Sequence, residues 1–263
     1  MSTGKERQKQ LAREHYERQR QRRVERESRA KRTAVIGSTV GVIVVVGGIV
    51  AGITLIGGGD EATSKAAAAG TCTYTKDAQG KSKDVGLPPA EPNLQPRTMT
   101  INTNDGDIVV ALATEKAPCT VNSFDYLASK GYFDNTKCHR LVTPDKGGLA
   151  VLQCGDPLAP ADGKTPGGDG GPGYKFPDEN LGGMPYKRGV VAMANAGPGT
   201  NGSQFFIVFG DETASLPPQY TPFGTVTKGM EIVDKVAKGG MLADGTAPKV
   251  PVEIKHVTIS AKS

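Results

Sequence analysis

Four polar side chains stand inside otherwise apolar runs: Arg140 in CHRLV, Gln153 in VLQCGD, Asn195 in MANAG and Gln204 just before Phe205-Phe206. These residue types offer hydrogen bonding and one permanent, directed positive charge, and none is a nucleophile. Taken singly, an arginine or glutamine in a strand is better explained as a barrel-surface residue.

Other chemistries fail on local context. Gly197-Pro198-Gly199-Thr200-Asn201-Gly202 matches G-x-G-x-x-G. The following SQFFIVF alternates like a strand, whereas a dinucleotide site needs a helix N-terminus there. Gly163-Lys164-Thr165 has Leu158 where a P-loop needs its first glycine, and Ser203 lacks the glycine two positions on that a nucleophile elbow carries. His15, His139 and His256 fall in three separate segments, so no metal constellation is visible. Asn201-Gly202-Ser203 fits a glycosylation sequon, a short pattern that arises often by chance. None of these supports a covalent, metal or nucleotide mechanism.

The elements around the polar set are short. Met99, Ile101 and Thr103, then Ile108, Val110 and Leu112, alternate about Asp105-Gly106, a hairpin signal. APCTVNSFDYLASKG places Val121, Phe124 and Leu127 at helical spacing between Pro118 and Gly131. A second helix is expected over Gly229–Lys238, with Ile232, Val233 and Val236 on one side, and VEIKHVTI as the last strand. Many brief apolar runs with two helices point to a closed antiparallel β-barrel.

The 263 residues carry a formal charge of +5, but it is not evenly spread. Residues 1–32 hold 12 Lys/Arg against 5 acids, whereas residues 97–263 hold 16 against 17. The whole-chain charge therefore gives no support to nucleic-acid binding. From Thr33 to Gly59 no residue is charged, and Ala34–Ile56 is long enough as a helix to cross a hydrocarbon core of about 30 Å. The expected organisation is a basic cytoplasmic tail (1–32), one transmembrane helix (33–57), a flexible Pro-rich linker (58–96) and an extracytoplasmic domain (97–263). The orientation follows from the basic residues that precede the span. A cleaved signal peptide is the competing reading of the span. Export makes disulfides possible among Cys72, Cys119, Cys138 and Cys154, which allow three complete pairings, and free buried thiols remain open.

FDNTKCHRL, LQCGDP, GGPGYKFPDEN, RGVVAMANAGPGTNGSQFFI and LPPQYTPFGTV occur in this order. Through them residues 97–261 resemble a cyclophilin-type peptidyl-prolyl cis-trans isomerase. The resemblance implies a mostly β fold: a closed eight-stranded antiparallel barrel capped by two helices. It implies isomerisation of Xaa-Pro bonds in extended, proline-containing polypeptides, without a cofactor. By position Arg140 matches the catalytic arginine, and Gln153 the glutamine that positions it. Ala194, Asn195 and Ala196 match the stretch whose backbone holds the peptide. Val151, Phe206, Leu216 and Tyr220 match the lining of the proline pocket, Gln204 a polar wall and Gly168 the rim beside the residue before proline. His139 matches a histidine with a structural role.

Three departures accompany the match. LVTPDKGGLAVL separates Arg140 from Gln153 and is longer than the family's usual hairpin. Ala150 stands where a phenylalanine usually fills the proline pocket, which implies weaker apolar contact with substrate. Ser215 stands where the family often has a tryptophan that favours cyclosporin, so weak cyclosporin binding is expected. The first two departures motivate an alternative, a proline-peptide binding module or holdase with little turnover.

Overall fold

A computed structural model describes residues 70–77, 81–159, 167–211, 213, 216–243 and 246–261. The expected tail and transmembrane helix lie outside these residues, as do the first part of the expected linker and Ser215. Among the described residues no helix is long and apolar enough to cross a membrane.

Two two-residue strands come first, β1 (Thr75–Lys76) and β2 (Lys81–Ser82), followed by β3 (Arg97–Thr103) and β4 (Gly106–Leu112). Helix α1 (Pro118–Ser129) leads to β5 (Thr136–Lys137) and β6 (Arg140–Val142). After a single helical turn at Pro144–Gly147 come β7 (Val151–Cys154), β8 (Gly170–Gly171), β9 (Tyr174–Lys175), β10 (Val190–Met193), β11 (Phe205–Val208) and β12 (Pro222–Lys228). Helix α2 (Met230–Gly239) and β13 (Glu253–Ala261) complete the described elements.

Nine strands form one sheet in the order β5-β13-β3-β4-β12-β10-β11-β7-β6, with every neighbouring pair antiparallel. Nine rather than the expected eight arise because the stretch 136–142 is interrupted. It pairs with β13 as β5, then with β7 as β6, and only Cys138 and His139 lie between. The two edge strands are therefore adjacent in sequence, and the sheet curls until its ends approach this short seam. Cys138 N–H donates to Val252 O at 3.0 Å and His139 N–H to Gln153 O at 3.1 Å across it.

The β3–β4 hairpin is displaced by one residue from the Asp105-Gly106 expectation. Thr103 pairs with Gly106, so Asn104-Asp105 is the turn. Gly106 enters the strand at φ +121°, where a side chain would be strained.

Val121, Phe124 and Leu127 of α1 are fully buried, and the Phe124 ring meets Phe133, Phe205 and Phe223 with centroids 4.6–5.6 Å apart. Ile232, Val233 and Val236 of α2 enter the same core, as their spacing required. At the start of α1 the Glu179 carboxylate accepts the N–H of Cys119 and Thr120 and the Thr120 hydroxyl. It thereby satisfies donors that every helix N-terminus leaves open.

The cysteines pair as Cys72–Cys119 and Cys138–Cys154. The first of these corrects the linker expectation over its described part, 70–77 and 81–96. There the chain is a strap fastened to the domain: β1 pairs with β9, β2 with β8, and the Asn122 amide donates to Pro89 O at 2.7 Å. Proline-rich, polar composition argues for an untethered chain only when nothing cross-links it. The Asn201-Gly202-Ser203 match has a structural account instead: the Asn201 side chain is fully buried and donates to Pro177 O and Asp178 Oδ1.

Candidate active site

Arg140 and Gln153 face each other across β6 and β7, two strands that form because LV and VLQC are short apolar runs bounded by turn residues. Arg140 is exposed at the seam, and its Nη1 donates to Gln153 Oε1 at 3.4 Å. Gln153 Nε2 in turn donates to Gln204 Oε1 at 2.9 Å, and Gln204 Nε2 donates to the carbonyls of Gly168 and Gly170 at 2.8 and 2.9 Å. One hydrogen-bonded series thus runs from the guanidinium to the glycine-rich loop.

On one side of this series lies an apolar patch. Val151, Phe206, Val190, Ala192, Val208 and Tyr186 are buried together, with Leu216, Tyr220 and Ala194 packed against them. Phe206 and Tyr220 meet edge to face at 5.6 Å. Tyr186, which the sequence reading did not name, supports Tyr220: its hydroxyl donates to Tyr220 O at 2.7 Å and accepts from Tyr220 N–H at 3.0 Å. Its only sequence signal was an aromatic residue just before a strand, in GGMPYKRG. Ala150 is buried and bonded through Thr213 Oγ1, outside this patch.

On the other side is a polar groove of about 200 Å³ lined by Gln153, Gln204, Ala194, Asn195, Ala196 and the loop from Gly168 to Lys175. The Asn195 amide is anchored, donating to Gln219 O at 2.8 Å and accepting from Gly197 N–H at 3.2 Å. Thr200, part of the rejected G-x-G-x-x-G match, accepts from Ala196 N–H at 2.8 Å and donates to Gly197 O at 2.7 Å, shaping the turn. The rim is held by the buried Asp156 carboxylate, which accepts from Leu158 and Gly168 N–H at 2.8 and 2.6 Å.

All eleven expected site residues therefore fall on one face: Val151, Phe206, Leu216 and Tyr220 in the patch, Gly168, Ala194, Asn195, Ala196 and Gln204 around the groove, and Arg140 with Gln153 between. His139 sits beneath, buried, and burial lowers its imidazole below the ordinary 6.5, with Asp156 opposing and Arg140 reinforcing. Among the described residues no three His, Cys, Asp or Glu side chains converge as a metal site would require.

A curled antiparallel sheet with two helices, carrying an arginine–glutamine pair between an apolar patch and a polar groove, is the cyclophilin fold. The chain belongs to the family of the cyclophilin type peptidyl-prolyl cis-trans isomerase/CLD model, which matches residues 98–259.

Among curated relatives, the "Probable peptidyl-prolyl cis-trans isomerase B" of Mycobacterium leprae is 44% identical over 192 residues, covering 66% of this chain and 61% of its own length. That of Mycobacterium tuberculosis is 42% identical over 206 residues, 72% of this chain and 63% of its own length. The chain thus spans under two thirds of these relatives. A solved cyclophilin type peptidyl-prolyl cis-trans isomerase of Cryptosporidium parvum, crystallised in the presence of the dipeptide Ala-Pro, superposes with a TM-score of 0.53 at 30% identity. The match covers 63% of this chain and 99% of that one.

Proposed function

We propose that this protein is a peptidyl-prolyl cis-trans isomerase that accelerates Xaa-Pro isomerisation in exported polypeptides. The observation that carries the reading is the exposed Arg140 guanidinium, held by Gln153 at the boundary between the Phe206–Tyr220 patch and the groove beside Ala194–Ala196. The amide barrier is about 18–20 kcal/mol, and no covalent bond is made or broken in crossing it. Catalysis requires only that the twisted amide, with its pyramidal nitrogen, be held better than the planar one. The apolar patch accepts the proline ring, the Ala194–Ala196 backbone takes the peptide as an added strand, and Arg140 donates to the prolyl nitrogen as its lone pair returns.

The extracytoplasmic, membrane-anchored setting is part of the proposal. It is supported by the uncharged 33–57 stretch behind a basic tail, and by two disulfides, which persist in oxidising compartments. Weak cyclosporin binding belongs to it as well, on the strength of Ser215.

Exchange NMR on an Ala-Pro peptide with the full chain tests the activity. Cross-peaks between cis and trans forms at catalytic protein concentration are expected. Peptide binding without accelerated exchange would instead establish the binding-module alternative.

A further inference from the structure

The matched segment GGPGYKFPDEN contributes none of the expected site residues, yet its last three side chains each bond a different element around the site. We propose that Asp178 is a positioning residue: through the turn at 197–201 it holds the Ala194–Ala196 backbone at a set spacing from the Tyr220 wall of the apolar patch. The inference rests on the isomerase reading for the claim that one peptide occupies both places. Asp178 itself does not line the groove and acts through the residues between.

Both carboxylate oxygens of Asp178 serve the turn. Oδ2 accepts Gly199 N–H at 2.8 Å, and Oδ1 accepts from the Asn201 amide at 2.9 Å. Asn201 is fully buried and donates also to Pro177 O at 3.1 Å, while Phe176 N–H donates to Asn201 O at 3.1 Å. A carboxylate accepts at both oxygens, whereas an amide in its place would set an NH2 against one of the two donors. Residues 194–204 lie between β10 and β11 outside both strands, so side-chain bonds of this kind hold them where a continuous ladder does not.

The constraint passes from the turn to the stretch that holds the peptide. Ala196 N–H donates to Thr200 Oγ1 at 2.8 Å, and Gly197 N–H donates to Asn195 Oδ1 at 3.2 Å. The Asn195 amide donates in turn to Gln219 O at 2.8 Å, one residue before Tyr220.

A second path returns from Tyr220 to the same segment. The buried Thr221 accepts Glu179 N–H at its Oγ1 at 2.9 Å and Met193 N–H at its carbonyl at 2.9 Å, and the Asn180 amide donates to Pro222 O at 2.9 Å. The bonds therefore close a ring, from Asp178 through Gly199, Ala196, Asn195, Gln219 and Thr221 to Glu179. Ala194–Ala196 stand on one side of it and Tyr220 on the other. The Glu179 carboxylate turns away to the start of α1, which fixes the ring to a helix. Removing the Asp178 carboxylate opens the ring at the turn and leaves the Tyr220 side attached.

The test uses the full chain and one Ala-Pro peptide, with kcat, KM and equilibrium Kd measured on each variant. Asp178→Ala is expected to raise KM and Kd together by about tenfold, the scale of lost hydrogen bonds to a charged group. Its kcat is expected to change by less than about twofold, because Arg140 is held from β6 and β7. Asp178→Asn keeps one acceptor and is expected to fall between the two. Amide NMR shifts should move more at Ala194 and Ala196 than at Arg140. Thr136→Val, which deletes a buried hydroxyl bond on β5 remote from the turn, is the destabilised control and is expected to leave KM unaltered. Thr200→Val acts through the same turn, so its KM factor and that of Asp178→Ala are not expected to multiply in the double variant.

Unchanged KM and Kd in both Asp178 variants overturn the proposal, as do multiplied factors in the double variant or an equal KM rise in Thr136→Val. If Asp178→Ala does not fold, Asp178→Asn and the double variant built on it decide the same question. Wild-type binding without turnover overturns the isomerase reading alone, and the tenfold rise in Kd still decides for Asp178. A wild type that neither binds nor turns over the peptide overturns both.

Discussion

Gln153 lies directly opposite Arg140 across β6 and β7, and it bonds to that arginine and to Gln204 through the two ends of a single amide. The amide orientation is thereby fixed: oxygen toward the guanidinium, nitrogen toward Gln204. At 3.4 Å the bond to Arg140 is long, which leaves the guanidinium donors available to a substrate.

Gln153→Ala removes this orienting partner and leaves the cation in place. A net hydrogen bond to a charged group contributes about 1.5–3 kcal/mol. We expect kcat to fall about tenfold, well short of the loss on removing Arg140. Gln204→Leu, which releases the Gly168–Gly170 loop, should act mainly on KM. Steady-state kinetics on both variants separates the two effects.

The Cys138–Cys154 disulfide flanks the same pair, two residues before Arg140 and one after Gln153. With a sequence separation of 16, its removal should cost about 3 kcal/mol of stability. It also bridges the seam where the chain leaves β13 for β7, so Cys138→Ala/Cys154→Ala should lower kcat by more than a remote variant of equal stability does. Urea unfolding with parallel kinetics checks both, and an unaltered kcat would show that the backbone ladder alone keeps the register.

His139 is neutral and buried in the folded protein, with its pKa lowered chiefly by burial. In the unfolded chain the imidazole takes up its proton near 6.5, before the folded one does. Its contribution is complete above that pH and is lost as pH falls from 6.5 toward the lower folded value, by at most about 1.4 kcal/mol per pH unit. Wild type minus His139→Gln unfolding free energies, measured from pH 7.5 to 5, should decrease with falling pH. A flat difference would mean that the ring titrates alike in both states.

Tyr186→Phe deletes both bonds to the Tyr220 backbone while keeping the ring beside Phe206 at 6.3 Å. Unpaired backbone groups cost about 1–3 kcal/mol where buried. Tyr220 is expected to lose its fixed position, raising KM about fivefold with a smaller change in kcat. Equal kinetics for the two proteins would place Tyr186 in the core only.

The polar set was legible because each member interrupts an apolar run, and period-two alternation puts Gln153 and Gln204 on one sheet face once β7 and β11 pair, with Phe206 opposite Gln153. The helices were legible from Phe124 and Val233, whose spacing admits a single buried face. The strap was not, because its attachment depends on one cysteine choosing among three and on tyrosine hydroxyls reaching backbone 41 and 45 residues away. Tyr186 escaped for a similar reason: its role is a contact with Tyr220, 34 residues later, and no local pattern encodes it. The turn at Asn104-Asp105 was misplaced by one residue because a glycine after aspartate signals positive φ without specifying its position in the turn.

The central claim is that Arg140 stabilises the twisted amide rather than the bound ground state. Exchange NMR on one Ala-Pro peptide with wild type and Arg140→Ala, at protein concentrations that saturate the peptide equally, tests it most directly. One preorganised donor supplies about 3–4 kcal/mol in other enzymes. The account expects exchange on the bound peptide to slow at least a hundredfold in Arg140→Ala while the binding constant changes only a few-fold. Equal exchange rates in the two proteins, or a loss confined to binding, would contradict it.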